Sequence, residues 1–301
     1  MGNKIKLTFL GTAGAIPTAK RNHTAILLDY QGEHILIDCG EGTQRQFRKA
    51  RINPGKINSL LISHWHGDHV LGVPGLLQTL GLSGYNKSLY IYGPRGTKKF
   101  MKEILKIFHF TGNYQIKVKE VSGKFFETDD FYLEASSMIH GVPCNAYNFV
   151  IKDKLRIDKK KLAKTKIPLG PLMFKIKQGK DVTYNGKKYN AKSLTYLEKG
   201  KKISVVMDTK MNERIVPFVK NSDLLICESS FGEDMKAFAK ERFHLTAKQT
   251  GEIAKKSKSK RLILTHISQR YERDMKSILN QAKKEFKNVS IVSDLDEIEV
   301  K

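Results

Sequence analysis

The segment Ser63-His64-Trp65-His66-Gly67-Asp68-His69 carries four metal-type side chains within six residues. It directly follows the apolar run 60–62, so these side chains are expected at the end of a strand. Residues two apart in an extended loop face the same way, so His64 and His66 can hold one cation while Asp68 and His69 reach a second. Imidazole and carboxylate ligands favour zinc, with manganese or iron left open. The segment therefore predicts a dinuclear metal site.

The alternative interpretation is a set of surface histidines, with Asp68 serving only as the N-cap of a following helix. Against it, chance rarely places three of a chain's nine histidines and one aspartate within six residues. Two cations also need more ligands than this loop supplies, so further ligands are expected elsewhere.

Three candidates for these ligands each stand directly after a strand-like apolar run: His140, Asp208 and His266. Singly, each could be an ordinary loop histidine or turn aspartate. Their shared position at strand ends favours one common site at the mouth of the sheets.

The charge of the chain is the second strong signal. A formal net charge of +24 favours a polyphosphate partner through Coulomb attraction and counterion release. The alternative is a lysine-rich surface adapted to a particular cytoplasm. The distribution favours a nucleic acid, because residues 152–202 hold 17 Lys or Arg against 4 Asp or Glu, which is +13 of the total.

Residues 152–202 also differ from their surroundings in pattern. They predict a short helix over 158–164 and a hairpin at Asn185-Gly186, a strong two-residue turn signal. We therefore expect a protruding basic arm inserted into a single domain that spans residues 1–301. Four apolar residues argue against an unstructured linker: Leu169, Leu172, Met173 and Phe174.

Outside the arm, the pattern predicts eight strands and three helices before it, and four strands and three helices after it. Such runs are buried when two sheets pack face to face with helices on both outer sides, an α/β four-layer αββα sandwich. Three scattered cysteines indicate a reducing cytoplasm. No apolar run reaches the roughly 18 to 20 residues that span a bilayer, so we expect a soluble protein with no membrane partner.

Thr246-Ala247-Lys248-Gln249 predicts a capping box at the start of a helix. His244 then lies just ahead of a helix N-terminus, where the local potential favours phosphate. The alternative is an ordinary histidine packed at a helix entry.

Several motifs along nearly the whole chain resemble the ribonuclease Z family of the metallo-β-lactamase fold. They are Phe9-Leu10-Gly11-Thr12 with Pro17 to Asn22, Asp38-Cys39-Gly40-Glu41-Gly42-Thr43-Gln44, the metal loop, His140-Gly141, Asp208-Thr209, and the segment from Leu264 to Tyr271. The chain departs from the family pattern at four places. Cys227-Glu228-Ser229-Ser230 stands where relatives have His-Glu-Ala-Thr, and His244-Leu245-Thr246 stands where they have His-Ser-Thr. Asp208 follows Met207 rather than the usual glycine, and Lys20 lies next to Arg21 rather than one residue earlier.

The resemblance implies an endoribonuclease that removes the 3′ trailer from tRNA precursors, leaving a 3′-hydroxyl on the tRNA and a 5′-phosphate on the trailer. It implies two zinc ions per subunit: His64, His66 and His140 hold the first, Asp68, His69 and His266 the second, and Asp208 bridges them. Asp68 is also the candidate base for the attacking water. His244, oriented by Glu228, is the candidate proton donor to the leaving ribose oxygen.

In the family, the arm grips tRNA far from the cleaved bond and the subunits often pair, so precursor tRNA, a homodimer and a cytoplasmic location are expected. Two other functions stay open: a small-ester hydrolase or other phosphodiesterase of the same fold, and an RNA-binding protein with a structural zinc site. The second is disfavoured because structural sites are usually closed by four Cys or His ligands. The lysines expected to contact RNA phosphates are Lys159, Lys160, Lys161, Lys164, Lys166, Lys175 and Lys177.

Overall fold

The computed structural model describes residues 4–110 and 112–300. The chain divides into two compact units. One comprises Met1–Phe126, Leu133–Phe149 and Lys202–Lys301, and the other comprises Glu127–Tyr132 and Val150–Lys201. Within the described residues, no helix is long and apolar enough to cross a membrane.

The first sheet of the larger unit has seven strands in the order β18-β1-β2-β3-β4-β5-β6, numbered along the chain. Strands β18 to β3 pair antiparallel, and β3 to β6 pair parallel. The strands are β1 (Ile5–Gly11), β2 (Ala25–Tyr30), β3 (Glu33–Ile37), β4 (Ser59–Leu61), β5 (Leu89–Gly93), β6 (Ile116–Glu120) and β18 (Glu297–Val300).

The second sheet also has seven strands, in the order β17-β16-β15-β14-β9-β8-β7. Strands β14 to β17 are parallel, so their carboxyl ends meet at one edge of the sheet. The strands are β7 (Gly123–Glu127), β8 (Phe131–Met138), β9 (Cys144–Ile151), β14 (Lys202–Val206), β15 (Leu224–Glu228), β16 (Leu262–Thr265) and β17 (Val289–Ile291).

The two sheets pack face to face through apolar side chains. Ile37 and Leu61 of the first sheet line the same small internal gap as Phe149 and Val205 of the second. The Tyr147 hydroxyl crosses between the sheets and donates a hydrogen bond of 2.6 Å to the Ile62 carbonyl. These contacts bury both inner faces, which are the largest apolar surfaces of the unit.

Helices cover both outer faces, so the predicted four-layer sandwich is confirmed. On the first sheet, Phe47 and Leu77 from two helices share a buried cluster with Leu36 and Leu60. On the second, Ile253 and Ile278 pack in a separate buried cluster. The helices are α1 (Thr43–Lys49), α2 (Gly67–Val70), α3 (Val73–Leu82), α4 (Thr97–Ile107), α8 (Ile215–Phe218), α9 (Lys236–Glu241), α10 (Ala247–Lys256) and α11 (Met275–Glu285).

The smaller unit has its own apolar centre, which includes Met173, Ile176 and Val182. The predicted hairpin is confirmed, with Asn185 and Gly186 in the left-handed conformation between its two strands. The elements are β10 (Lys154–Ile157), α5 (Lys159–Ala163), α6 (Pro171–Lys177), β11 (Val182–Tyr184), β12 (Lys187–Tyr189), α7 (Ala191–Leu194) and β13 (Thr195–Glu198).

The apolar residues that argue against an unstructured linker belong to this folded unit, but they are not all buried. Of its four apolar residues at 169–174, Met173 is buried, but Leu169 is 88% exposed and Phe174 67% exposed. The reason is helical periodicity: in α6, Met173 and Ile176 lie three residues apart on the inner face, which leaves Phe174 on the opposite side. The predicted function of residues 152–202 as an inserted RNA-binding arm stays a prediction.

Candidate metal centre

The metal loop begins where β4 ends. His66 has extended dihedral angles and occupies the N-cap position of α2, so the chain changes from extended to helical between His66 and Asp68. His64 therefore lies on the extended part, while Asp68 and His69 lie on a single helical turn. This change of direction lets one short segment face two neighbouring points.

The other three predicted ligands come from the second sheet. His140 follows β8, Asp208 follows β14 and His266 follows β16. Asp208 and His266 emerge at the same sheet edge because β14, β15 and β16 are parallel. His266 has a φ of 56°, a left-handed conformation that is uncommon outside glycine and that redirects the chain right after the strand.

The structure brings His64, His66, His140 and Asp208 into one group. Nδ1 of His66 lies 3.1 Å from Nε2 of both His64 and His140. Oδ2 of Asp208 lies 3.6 Å from Nε2 of His64 and 3.8 Å from Nε2 of His140. Three imidazole nitrogens and one carboxylate oxygen thus converge on one point.

A second group consists of Asp68, His69, His266 and the same Asp208. Nε2 of His69 and Nε2 of His266 lie 3.2 Å apart, and each is 3.2 Å from Oδ2 of Asp68. Here Asp208 presents its other oxygen, Oδ1, at 3.2 Å from His266 and 3.6 Å from His69. The two oxygens of Asp208 therefore face different groups.

Both groups fit divalent cations by geometry. Two nitrogen ligands at about 2.0 to 2.1 Å from a tetrahedral zinc ion lie about 3.3 Å apart, close to the separations within each group. Oδ1 of Asp208 is buried and has no hydrogen-bond partner among the described residues. A buried carboxylate oxygen without a donor is costly, and a cation between the surrounding ligand atoms removes that cost.

Hydrogen bonds of the Nδ1 atoms fix the orientation of two ligand histidines. Nδ1 of His69 donates to Oδ2 of Asp38 at 2.8 Å, which directs the Nε2 lone pair towards the second group. Nδ1 of His140 lies 3.1 Å from the Phe243 carbonyl and can only donate to it. Asp38 is wholly buried and also accepts hydrogen bonds from Ser63 N at 2.7 Å and Ser63 Oγ at 2.8 Å.

The electrostatics of the two groups differ. Burial lowers the pKa of His64 well below its usual range, so this ring is neutral and able to act as a ligand. Burial also opposes protonation of His69, but the carboxylates of Asp208, Asp68 and Asp38 raise the pKa of His69 well above its usual range. The second group therefore attracts positive charge strongly, which is the requirement for a cation site.

The comparisons with known proteins identify the family of this chain. A family model described as anti-Pycsar protein Apyc1 matches residues 5–155. Ribonuclease Z of Nanoarchaeum equitans is 39% identical over 292 residues, which cover 97% of this chain and 92% of that protein. The chain belongs to the ribonuclease Z family.

Solved structures agree with this assignment to the ribonuclease Z family. The crystal structure of human tRNase Z, short form, superposes with a TM-score of 0.70 at 26% identity, covering 97% of this chain and 98% of that one. The metallo-β-lactamase fold protein YhfI from Bacillus subtilis gives a TM-score of 0.73 at 19% identity, covering 99% of this chain and all of that one. The predicted fold and family are both confirmed, and the His and Asp groups of this chain can bind the divalent metal that the family requires.

His244 and Glu228, predicted to move a proton, also lie at this site. Nδ1 of His244 is 3.1 Å from Oε2 of Glu228 and 3.9 Å from Oδ2 of Asp208. Burial lowers the pKa of His244, but the charges of Glu228 and Asp208 outweigh it and raise the pKa to about 9. The capping box at Thr246 is confirmed, so His244 lies two residues before the N-cap of α10.

The sequence reasoning missed several residues at this site of the ribonuclease Z fold. Asp38 directly follows β3. This position after a strand resembles that of the metal ligands and could have indicated that Asp38 belongs to the site. Ser230 places its Oγ 2.6 Å from Oε2 of Glu228 and 2.9 Å from Nδ1 of His266, so it can orient that ring. Phe238, Arg242 and Arg270 line the cavity of about 330 Å³ that opens onto the metal groups; Arg270 lies in the motif from Leu264 to Tyr271 but was given no role, and no sequence pattern included Phe238 or Arg242.

The departures from the family pattern leave the ligand groups complete. Cys227, where relatives carry histidine, is fully buried in the apolar layer beneath α10. Burial raises the pKa of its thiol, so it stays uncharged. Lys20 is exposed, whereas its neighbour Arg21 is buried and donates to the hydroxyl of Thr12 and the carbonyl of Val292.

Proposed function

We propose that this protein uses two zinc ions per subunit to cleave precursor tRNA at the 3′ end of the mature sequence. The proposal depends above all on one observation: seven side chains converge in two groups that share the two oxygens of Asp208. In this assignment, His64, His66 and His140 hold the first ion. Asp68, His69 and His266 hold the second, and Asp208 bridges them.

Two such ions, when bound, supply a nucleophile at neutral pH and neutralise the charge of the scissile phosphate. The ligand set suits zinc, because imidazole nitrogens predominate and carboxylate oxygens complete each group. The three-ligand groups with a shared carboxylate are also unlike structural zinc sites, which are closed by four Cys or His ligands.

Asp68 is the proposed base. Its Oδ2 lies 3.2 Å from two ligand nitrogens, whereas its Oδ1 forms no hydrogen bond to a described residue. Asp68 also lines the cavity, so its free oxygen can accept the proton of an attacking water. The histidines next to it hold the pKa of Asp68 below its usual range against the effect of burial, which keeps it ionised.

His244 is the proposed proton donor to the leaving ribose 3′ oxygen. It lines the same cavity, and its raised pKa keeps it protonated at neutral pH. Glu228 is fully buried behind it and is fixed by the Thr209 amide, which donates to Oε1 at 2.7 Å. The products of this reaction are a 3′-hydroxyl on the tRNA and a 5′-phosphate on the trailer.

The basic arm is proposed to bind the tRNA away from the cleaved bond. All seven predicted lysines are exposed, and only Lys161 has a described carboxylate partner, Asp158 at 3.9 Å. Such free ammonium groups attract phosphates without reading sequence. The buried centre around Met173 and Ile176 gives the short helices a fixed arrangement from which these lysines project.

A homodimer in the cytoplasm is also proposed. The helices α3 and α4 end in large apolar side chains that face solvent: Leu82 is 84% exposed and Ile107 is 69% exposed. Exposed apolar groups of this size favour burial against a second copy. The cytoplasmic location is supported by three buried cysteines that form no disulfide.

The test is cleavage of an end-labelled precursor tRNA by the metal-loaded protein, by chelated protein, and by chelated protein with zinc added back. The expected result is one cut that depends on metal and yields a 3′-hydroxyl tRNA, with two zinc ions per chain by elemental analysis. Cleavage by fully chelated protein, or a 3′-phosphate product, contradicts the proposal. Asp208→Asn serves as the matched variant, because it keeps the side-chain shape and removes the bridging charge.

A further inference from the structure

Two arginines contact the ring of Phe238 in the wall of the cavity. The guanidinium carbons of Arg242 and Arg270 each lie 5.3 Å from the centroid of its ring. All three side chains line the cavity that contains the metal groups. Among the described residues lining it, no other lysine or arginine occurs. Within the described lining of this cavity, these two arginines are therefore the permanent side-chain cations.

The charges of the two arginines are almost uncompensated. Arg270 forms no ion pair with a described carboxylate, and the only pair of Arg242 is with its neighbour Glu241 at 3.6 Å. Both members of that pair are more than half exposed, so it contributes little. Two guanidinium groups on one aromatic ring give this part of the cavity wall a positive charge, which attracts an anion.

Hydrogen bonds of the neighbouring Tyr271 fix the backbone that carries Arg270. The Tyr271 hydroxyl accepts from the Gly232 amide at 3.0 Å and lies 3.1 Å from Oδ2 of Asp234. This ties the turn that carries Arg270 to the segment that leads into α9. A fixed backbone at this position lowers the entropy cost of binding a ligand there.

Phe231 connects the cluster to His244. Its ring packs edge-on against Phe238 at 5.3 Å and against His244 at 5.7 Å. The two arginines and Phe238 are thus linked through Phe231 to His244, the proposed proton donor to the leaving ribose oxygen. In an RNA strand, the next phosphate on that side belongs to the nucleotide that becomes the 3′ end of the tRNA.

We infer that Arg242 and Arg270, which both contact Phe238, bind the backbone phosphate immediately 5′ of the scissile phosphate. The inference rests on the proposed function. A guanidinium presents paired N–H donors that match phosphate oxygens, so two of them fix the position of the strand. The contact positions the scissile bond over the metal groups without reading the base.

The experiment uses full-length metal-loaded protein with Arg242→Gln, Arg270→Gln and the double variant. Arg51→Gln is the control, since it removes one exposed arginine from a different cavity. Each protein is tested on precursor tRNA with natural phosphates, on one with a methylphosphonate directly 5′ of the scissile phosphate, and on one with it directly 3′. Hydrolysis of bis(p-nitrophenyl) phosphate reports whether the metal centre is intact.

Each arginine variant is expected to lose about tenfold or more in kcat/KM on the natural precursor, as for a lost charged hydrogen bond. Each arginine variant should hydrolyse bis(p-nitrophenyl) phosphate at the rate of the unaltered protein. The control Arg51→Gln should keep its rate on both the precursor and this small diester. The 5′ methylphosphonate should slow the unaltered protein by a similar factor, and the arginine variants should then lose little more.

Three results would overturn the inference. The first is that the arginine variants cleave the natural precursor at the normal rate. The others are that their loss of activity is as large on the precursor with the 5′ methylphosphonate as on the natural one, or that it disappears only on the precursor with the 3′ methylphosphonate. Failure of the unaltered protein to cut any precursor, with the small diester hydrolysed, tells against the proposed function itself. The two failures are therefore distinguishable.

Discussion

Replacing Asp38 with asparagine tests how the protein prepares His69 for metal. Oδ1 of Asp38 accepts from Ser63 N, and Oδ2 accepts from Ser63 Oγ and from Nδ1 of His69. An asparagine has one acceptor oxygen and one NH2 donor group. The Ser63 amide cannot turn away, so the oxygen is expected to face it and the NH2 group to face His69.

This change reverses the hydrogen-bonding role of the His69 ring. Facing an NH2 donor, Nδ1 must accept, so the neutral ring carries its proton on Nε2, the atom that points at the second group. A ring that must give up this tautomer binds metal less tightly. Changes of this kind typically cost 10- to 100-fold in metal affinity, or about 1.4 to 2.7 kcal/mol. The first group does not contain His69 and should keep its affinity within about threefold.

The assay is competition for zinc with a chromophoric chelator at fixed pH, which resolves two binding steps. We expect Asp38→Asn to weaken one step by 10- to 100-fold and to leave the other nearly unchanged. Ser63→Ala is the comparison variant: it keeps the bond between Asp38 and His69 but removes a hydroxyl that contacts Asp38 and Nδ1 of His64, so any loss it causes should fall mainly on the first group. If Asp38→Asn leaves both affinities unaltered, the carboxylate does not set the tautomer and the argument is wrong.

Three further predictions concern a ligand, a titration and the arm. His66→Ala should lose one zinc ion and precursor cleavage together, because the first group then has three ligands; full activity with two ions would refute that group. In metal-free protein, His244 should titrate at about 9 by NMR, so the contribution of its pair with Glu228 is complete below about 6.5 and lost as pH rises through 9. A midpoint near 6.5 would contradict it. Deleting residues 158–190 should weaken tRNA binding strongly yet spare hydrolysis of a small phosphodiester, whereas equal loss on both would mean that the arm is structural.

The ligand set could be predicted because each ligand directly follows a strand, and strand ends meet at sheet edges. The orientation of the rings could not. Asp38 has a φ of 57°, and only this left-handed backbone turns its carboxylate towards Ser63 and His69. No local pattern around Asp38 predicts such a conformation in a residue other than glycine, since contacts distant in sequence impose it.

Two elements that the sequence did not predict are short and depend on distant partners. Strand β18 has one buried residue, Ile298, and forms only by pairing with β1 near the other end of the chain. The pair is supported by ion pairs of Lys4 with Glu299 and of Lys6 with Glu297. Helix α9 has six residues, too few for a periodic pattern to predict, so Phe238 and Arg242 had no recognisable setting.

Different groups of charges serve the attraction of RNA and the binding of metal: positive charges on the surface and buried carboxylates at the site. The chain carries +24, yet four buried carboxylates surround the metal groups: Asp38, Asp68, Asp208 and Glu228. Among the described residues, their ion-pair partners are all histidines and none is a lysine or arginine. A lysine at this place would occupy the position of a metal cation. Buried carboxylates that lack any cation partner are costly. Protonated His244 pairs with Glu228, and two divalent ions offset the charges of the other three carboxylates, so metal binding should stabilise the fold as well as supply the chemistry, and the surface lysines remain free for phosphate.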